Sequence, residues 1–204
     1  MLTRRRLLAC SSLAGLLLAA APLTASRAWA QAGGDATAFV VRLGNALVAI
    51  IDGPGSYDDK KARLRPLIDQ SVDVDGIARF CLGRFWRTAT PAQQGEFSQL
   101  FHEVLMNNIF GKIGEFRGVT FAPTTTTQRE QDTLVGTTIK RPNQQANNVQ
   151  WVVNQTAGGQ KIVDVVAEGT SLRLTQRSDY AAYLQRNNNN VDALIAAMRQ
   201  QIAR

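Results

Sequence analysis

The sequence predicts an α+β protein in which helices pack on one face of an antiparallel sheet of about four strands. Three observations carry this. Apolar residues recur at helical spacing as far as about Phe116, the period becomes strand-like after Gly118, and helical spacing returns near Ser178. The 204 residues are 45% hydrophobic and 19% charged, a globular composition that excludes wholesale disorder. One His and two Cys are too few for a Cys/His zinc site or an iron–sulfur cluster.

The chain opens with a segment that reads as a signal peptide over residues 1–30. Basic Thr3-Arg4-Arg5-Arg6 precedes an apolar run from Leu7 to about Leu23, and Ala28-Trp29-Ala30 is an A-x-A cleavage site. Thr3-Arg4-Arg5-Arg6-Leu7-Leu8 also resembles a twin-arginine signal, and a plain secretory signal fits the same residues at least as well. Cys10 stands before most of the apolar stretch, which rules out a lipoprotein box. Cleavage after Ala30 leaves a single domain, 31–204, that begins at Gln31 and keeps only Cys81, so no internal disulfide forms. Four of the 23 basic residues leave with residues 1–30, and 19 remain against 16 acidic ones. The formal +7 therefore shrinks to +3, a solubility charge rather than a footprint for nucleic acid.

Four helices are expected in the front half. Phe39, Leu43 and Leu47 make a stripe that ends at Gly53-Pro54-Gly55. Tyr57 to Ile68 reads as a second helix and Val74 to Phe85 as a third. The fourth has the clearest start, with Thr90 as N-cap, Pro91 at the first position and Gln93 completing a capping box. Carried on to Phe116, it is apolar on most sides, with a polar wedge only at Gln99, Glu103, Asn107 and Gly114. Such a helix is packed on two sides or lines a cavity.

Strand-like stretches follow at Val119 to Phe121, Thr133 to Lys140, Val149 to Gln155 and Lys161 to Ala167. Thr124 to Thr127 and Asn187 to Asn190 read as turns. Helices Ser178 to Gln185 and Val191 to Ile202 close the chain.

Chemistry is sparse. His102 lies within the apolar belt of the fourth helix, beside Ile109 and Ile113, which suits a satisfied packing histidine better than a catalytic one. Cys81, between Phe80 and Leu82, reads as a buried small hydrophobe. Asp73 and Asp75 suit a helix start, and no phosphate-cradling glycine loop occurs. A secreted hydrolase using His102 or a carboxylate pair is the competing reading, and a pure protein-interaction module is another.

Three stretches carry a family resemblance. Leu67-Ile68-Asp69-Gln70 leads into Leu82-Gly83-Arg84-Phe85-Trp86-Arg87-Thr88-Ala89-Thr90-Pro91-Ala92-Gln93, followed by Phe97 and Phe101. Val149-Gln150-Trp151 is the second, and Asp164-Val165-Val166-Ala167-Glu168-Gly169-Thr170-Ser171-Leu172 the third. Together they resemble the MlaC (toluene-tolerance) family of phospholipid-binding proteins. The resemblance implies a periplasmic shuttle, not an enzyme, with no cofactor or metal. It implies partners too: an outer-membrane lipoprotein complex and an inner-membrane ABC transporter with an MCE-domain protein. Phe80 to Trp86 also looks like the branch found with hopanoid synthesis, which would make a polycyclic lipid the cargo.

By the same resemblance the sheet is curved, and helices on its concave face enclose an apolar cavity for acyl chains. An acyl chain gains ~0.8 kcal/mol per buried CH₂, so an apolar slot needs little polar chemistry. The expected lining is Phe85, Trp86, Phe97, Phe101, Leu105, Ile109, Ile113 and Phe116 from the helices. From the sheet it is Phe121, Trp151, Val153, Val163 and Val165, with the fourth helix lying over Trp151 and Val153. Val163 and Val165 are expected to continue that face on the next strand. Lys140, Arg141, Arg173 and Arg177 are the candidate contacts for headgroup or partner.

Overall fold

Glycine, proline and capping residues divide the chain where the sequence indicates. The computed structural model describes residues 23–203, with side chains from Gly34 onward. The basic residues and most of the apolar run of the expected signal peptide lie outside the described residues. Helix α1 (Leu23–Asp52) continues unbroken past Ala30 and stops at Gly53-Pro54-Gly55. The buried Lys60 ammonium donates to the Ile51 carbonyl at 2.6 Å, placing a cation at the negative end of α1.

Helix α2 (Tyr57–Ser71) starts with a capping box between Ser56 and Asp59. Hydrogen bonds from the Ser56 side chain and backbone hold the Asp59 carboxyl below its ordinary range. Helix α3 (Val74–Leu82) has Asp73 as its N-cap, accepting from Gly76 N at 3.1 Å. A 3-10 turn, Gly83–Arg87, follows, and helix α4 (Pro91–Phe110) begins with the expected Thr90–Gln93 box. Helix α4 does not reach Phe116. It stops before Gly111, and Ile113–Phe116 forms a separate 3-10 turn, because Gly111 and Gly114 are poor helix formers.

The sheet has five strands in sequential antiparallel order: β1 (Thr120–Arg129), β2 (Asp132–Lys140), β3 (Asn147–Thr156), β4 (Gly159–Ala167) and the two-residue β5 (Thr170–Ser171). The expected turn at Thr124 to Thr127 is instead part of β1. β-branched threonine suits a strand, and an edge position tolerates Pro123 with a register shift before Thr126. Helix α5 (Leu172–Arg186) begins well before Ser178, and α6 (Val191–Ile202) follows a turn where Asn188 and Asn189 have positive φ.

The early start of α5 has a local cause. The buried Asp164 carboxylate accepts from Ser171 Oγ at 2.5 Å, Val165 N at 2.8 Å and Arg173 N at 3.1 Å. The Asp164-to-Ser171 motif is thus a corner that fixes α5 on β4.

The described core forms three apolar clusters. One unites α3, α4, α5 and α6 around Phe97, Leu184 and Met198. A second joins Ala36, Val40 and Leu43 of α1 to Val135, Val153 and Ile162 of the sheet. The third links Ile51 of α1, Leu64 and Ile68 of α2, and Met106 and Phe110 of α4. Val72 packs against all three, and the backbone beside it is held to the sheet by Asp73 N donating to Ile162 O at 3.0 Å.

This arrangement corrects one expectation. Helix α1, not α4, covers Trp151 and Val153. Helix α4 is apolar on most sides because Phe97, Phe101 and Val104 enter the first cluster while Met106 and Phe110 enter the third.

Candidate functional site

The expected lining residues divide among the three clusters. Phe85, Trp86, Phe97, Phe101 and Leu105 belong to the helical cluster. Ile109, Ile113 and Phe116 pack where α4 and its 3-10 turn meet α1 and α2. Phe121, Trp151, Val153 and Val165 lie on the sheet face under α1.

Val163 is the exception. A bulge lets Val153 pair with Ile162 while Val152 pairs with Asp164, so Ile162 takes the α1-facing position. Val163 instead lines an open cleft of about 430 Å³ with Asp73, Glu130, Gln131, Asp132, Asn154 and Arg173. That cleft is polar and unsuited to an alkyl chain.

A half-buried apolar surface lies between α1 and the sheet. Trp151 and Phe121 meet edge to face with centroids 6.4 Å apart, and both are only half-buried. Trp151 Nε1 donates to Thr137 Oγ1 at 2.9 Å, and that hydroxyl donates to the Val149 carbonyl at 3.1 Å. The indole is therefore oriented by its polar edge, leaving its faces apolar.

Opposite stand Phe39 and Leu47 of α1 and Leu67 of α2, also half-buried. The α1 stripe, legible in the sequence as a helix face, is not among the expected lining residues. Its signal was Gly44, in the middle of that stripe. A Cβ there would stand 2.9 Å from the Phe121 ring, so the glycine lets α1 settle directly on the aromatic.

The four candidate cations do not share one place. Lys140 pairs with Thr120 at the end of β2, where strand alternation turns it to the face away from α1, whereas Arg141 lies over the half-buried Phe116 ring at 5.1 Å. Arg173 and Arg177 lie elsewhere, both stacked on Phe80 of α3 at 4.7 and 4.8 Å.

His102 is a satisfied histidine, as expected, and its partners are carboxylates. Its Nε2 is 2.7 Å from Asp69 Oδ1, its Nδ1 is 3.5 Å from Glu103, and Arg65 grips Glu103 through two bonds of 2.9 and 3.1 Å. The Arg65 bonds also hold the Glu103 carboxyl below its ordinary range. With both ring nitrogens facing carboxylates, the imidazole is set up as a bridge between α2 and α4. Cys81 is buried, its thiol pushed up to about 12 chiefly by desolvation, which leaves it without nucleophilic thiolate at neutral pH.

The fold and the half-buried aromatic face under α1 define a class: an α+β protein whose sheet carries a helix-covered apolar surface. The family profile described as "MlaC protein" matches residues 43–200. That is most of the sequence, and the chain belongs to the MlaC family. It is similar to toluene tolerance protein ttg2D of Pseudomonas putida, with 26% identity over 144 residues. That match takes in 69% of this chain and 66% of the relative, so the chain spans just under two-thirds of that relative's length. The fold is also that of a phospholipid-binding protein from Ralstonia solanacearum solved in complex with a phospholipid. The two share a TM-score of 0.73 and 22% identity over 82% of this chain and 98% of that one.

Proposed function

We propose that this chain is a periplasmic carrier of phospholipid, working as one domain, 31–204, after cleavage behind Ala30. The observation that carries the reading is the half-buried apolar face under α1, in a fold shared with a protein that holds a phospholipid. Acyl chains would run between α1 and the Phe121, Trp151, Val153 and Val165 face, displacing contacts that α1 makes with the sheet. Arg141, stacked on Phe116, would meet the phosphate where the slot reaches solvent. Each buried methylene contributes ~0.8 kcal/mol, so the chains supply most of the affinity and a single cation suffices for orientation.

The family resemblance supports a wider role, exchange between an outer-membrane lipoprotein complex and an inner-membrane ABC transporter with its MCE-domain partner. The test is organic extraction of the exported protein followed by lipid mass spectrometry. Stoichiometric glycerophospholipid is the expected result, and a hopanoid would change the cargo but keep the slot. An extract without lipid would overturn the reading. N-terminal sequencing of the same sample should begin at Gln31.

A further inference from the structure

The stretch from Arg79 to Trp86 carries an uncommon arrangement of stacked cations. Arg79 lies over the Trp86 ring at 5.2 Å and Arg84 over the Phe85 ring at 4.8 Å. From α5, Arg173 and Arg177 add their guanidiniums to Phe80. The Arg177 group also stands 3.2–3.3 Å from where a Gly83 side chain would begin, so the glycine admits it against the turn, next to Arg84.

Stacking holds each guanidinium in place without neutralising it. Asp164 offsets Arg173 at 3.4 Å. Among the described residues, Arg79, Arg84 and Arg177 are in salt-bridge contact with no carboxylate, although Asp75 and Asp179 lie on the same helices. Beside Arg173 stand Leu172 and Leu174, which are 53% and 56% exposed. Neither leucine belongs to the described apolar clusters.

We propose that this corner, formed by α3, the 3-10 turn after it and the start of α5, docks the protein onto an anionic bilayer surface. The arginines match the lipid phosphates, and Leu172 and Leu174, on either side of Arg173, add apolar contact at the boundary. Because the surface is apart from α1 and its aromatic face, docking and cargo are separate properties. A chain that held no phospholipid would still bind the vesicle.

The test is co-sedimentation of the exported protein with vesicles of phosphatidylglycerol and phosphatidylethanolamine, against vesicles of phosphatidylcholine alone. Binding to the anionic vesicles that falls as salt rises is expected. Each arginine neutralised should weaken it about fivefold. Arg79→Gln with Arg84→Gln should lower it by about 25-fold, the product of two such steps, with the melting temperature unchanged. Arg79→Lys with Arg84→Lys should restore most of it, and Leu172→Ser with Leu174→Ser should weaken it while leaving the salt dependence. Equal binding to both vesicle types would overturn the proposal. So would glutamine variants that bind as the parent does. Capture of an acidic protein by the same arginines, without vesicle binding, would assign the surface to that partner and overturn the bilayer assignment.

Discussion

In the lobe built from α3 to α6, Phe97 is 0% exposed and stands edge-on to Tyr180 with centroids 5.7 Å apart. Across the molecule, where α1 lies on the sheet, Phe121 and Trp151 meet in the same geometry at 6.4 Å, yet both keep solvent contact. In the first region four helices bury the aromatic pair itself, and the half-buried residues, such as Trp86, Leu100 and Leu105, lie at its margin. The second is covered mainly by α1, which ends in Gly53-Pro54-Gly55, with Leu67 of α2 beside it, and the α1 contact includes a glycine resting on a ring. The two aromatic pairs therefore differ in what surrounds them, and that difference separates a buried core from the half-buried face proposed to take up acyl chains.

The largest effect should come from Phe97→Ala in the enclosed lobe, a loss of about 3–5 kcal/mol seen by urea or thermal unfolding. Enlarging side chains sharpens the comparison. Leu184→Trp, at a position 0% exposed, should overpack and destabilise by about 1–3 kcal/mol. The same change at half-buried Val165 should cost lipid-free protein less than about 1 kcal/mol while removing most co-purifying lipid. Equal destabilisation at both sites would make the α1 face an ordinary core.

Smaller again is the charged bridge between α2 and α4. Arg65 and Glu103 have side chains 40% and 43% exposed, so Arg65→Ala should shift stability by about 1 kcal/mol or less. Its readout is the same unfolding transition. Last, native Cys81 should resist alkylation at neutral pH and react only on unfolding, because burial keeps its proton on. Rapid labelling of the folded protein would mean that the lobe opens.

Much of this contrast could be read from residue patterns. The Thr90 box, the break at Gly53-Pro54-Gly55 and the change of period after Gly118 are local signals, and each marks a real boundary. The apolar excess of α4 was visible too, and it reflects packing on two sides. Which helix covers the sheet was not legible, because α1 and α4 both offer apolar stripes and only tertiary packing chooses between them. The face of Val163 turned on a bulge that no periodicity reveals. The start of α5 depended on Asp164 reaching Ser171 across a turn. His102 looked like a packing residue because its partner, Asp69, lies on a different helix.

The central claim is that acyl chains lie between α1 and the sheet, and photolabelling tests it most directly. The exported protein would be loaded with a phospholipid carrying a diazirine on one acyl chain, irradiated, digested and mapped by mass spectrometry. Labels are expected on the α1 segment around Phe39 to Ile50 and on the strands carrying Phe121 and Trp151. Labels concentrated on Phe97, Phe101 and the α6 residues Leu194 and Met198 would place the lipid in the helical lobe and contradict the account.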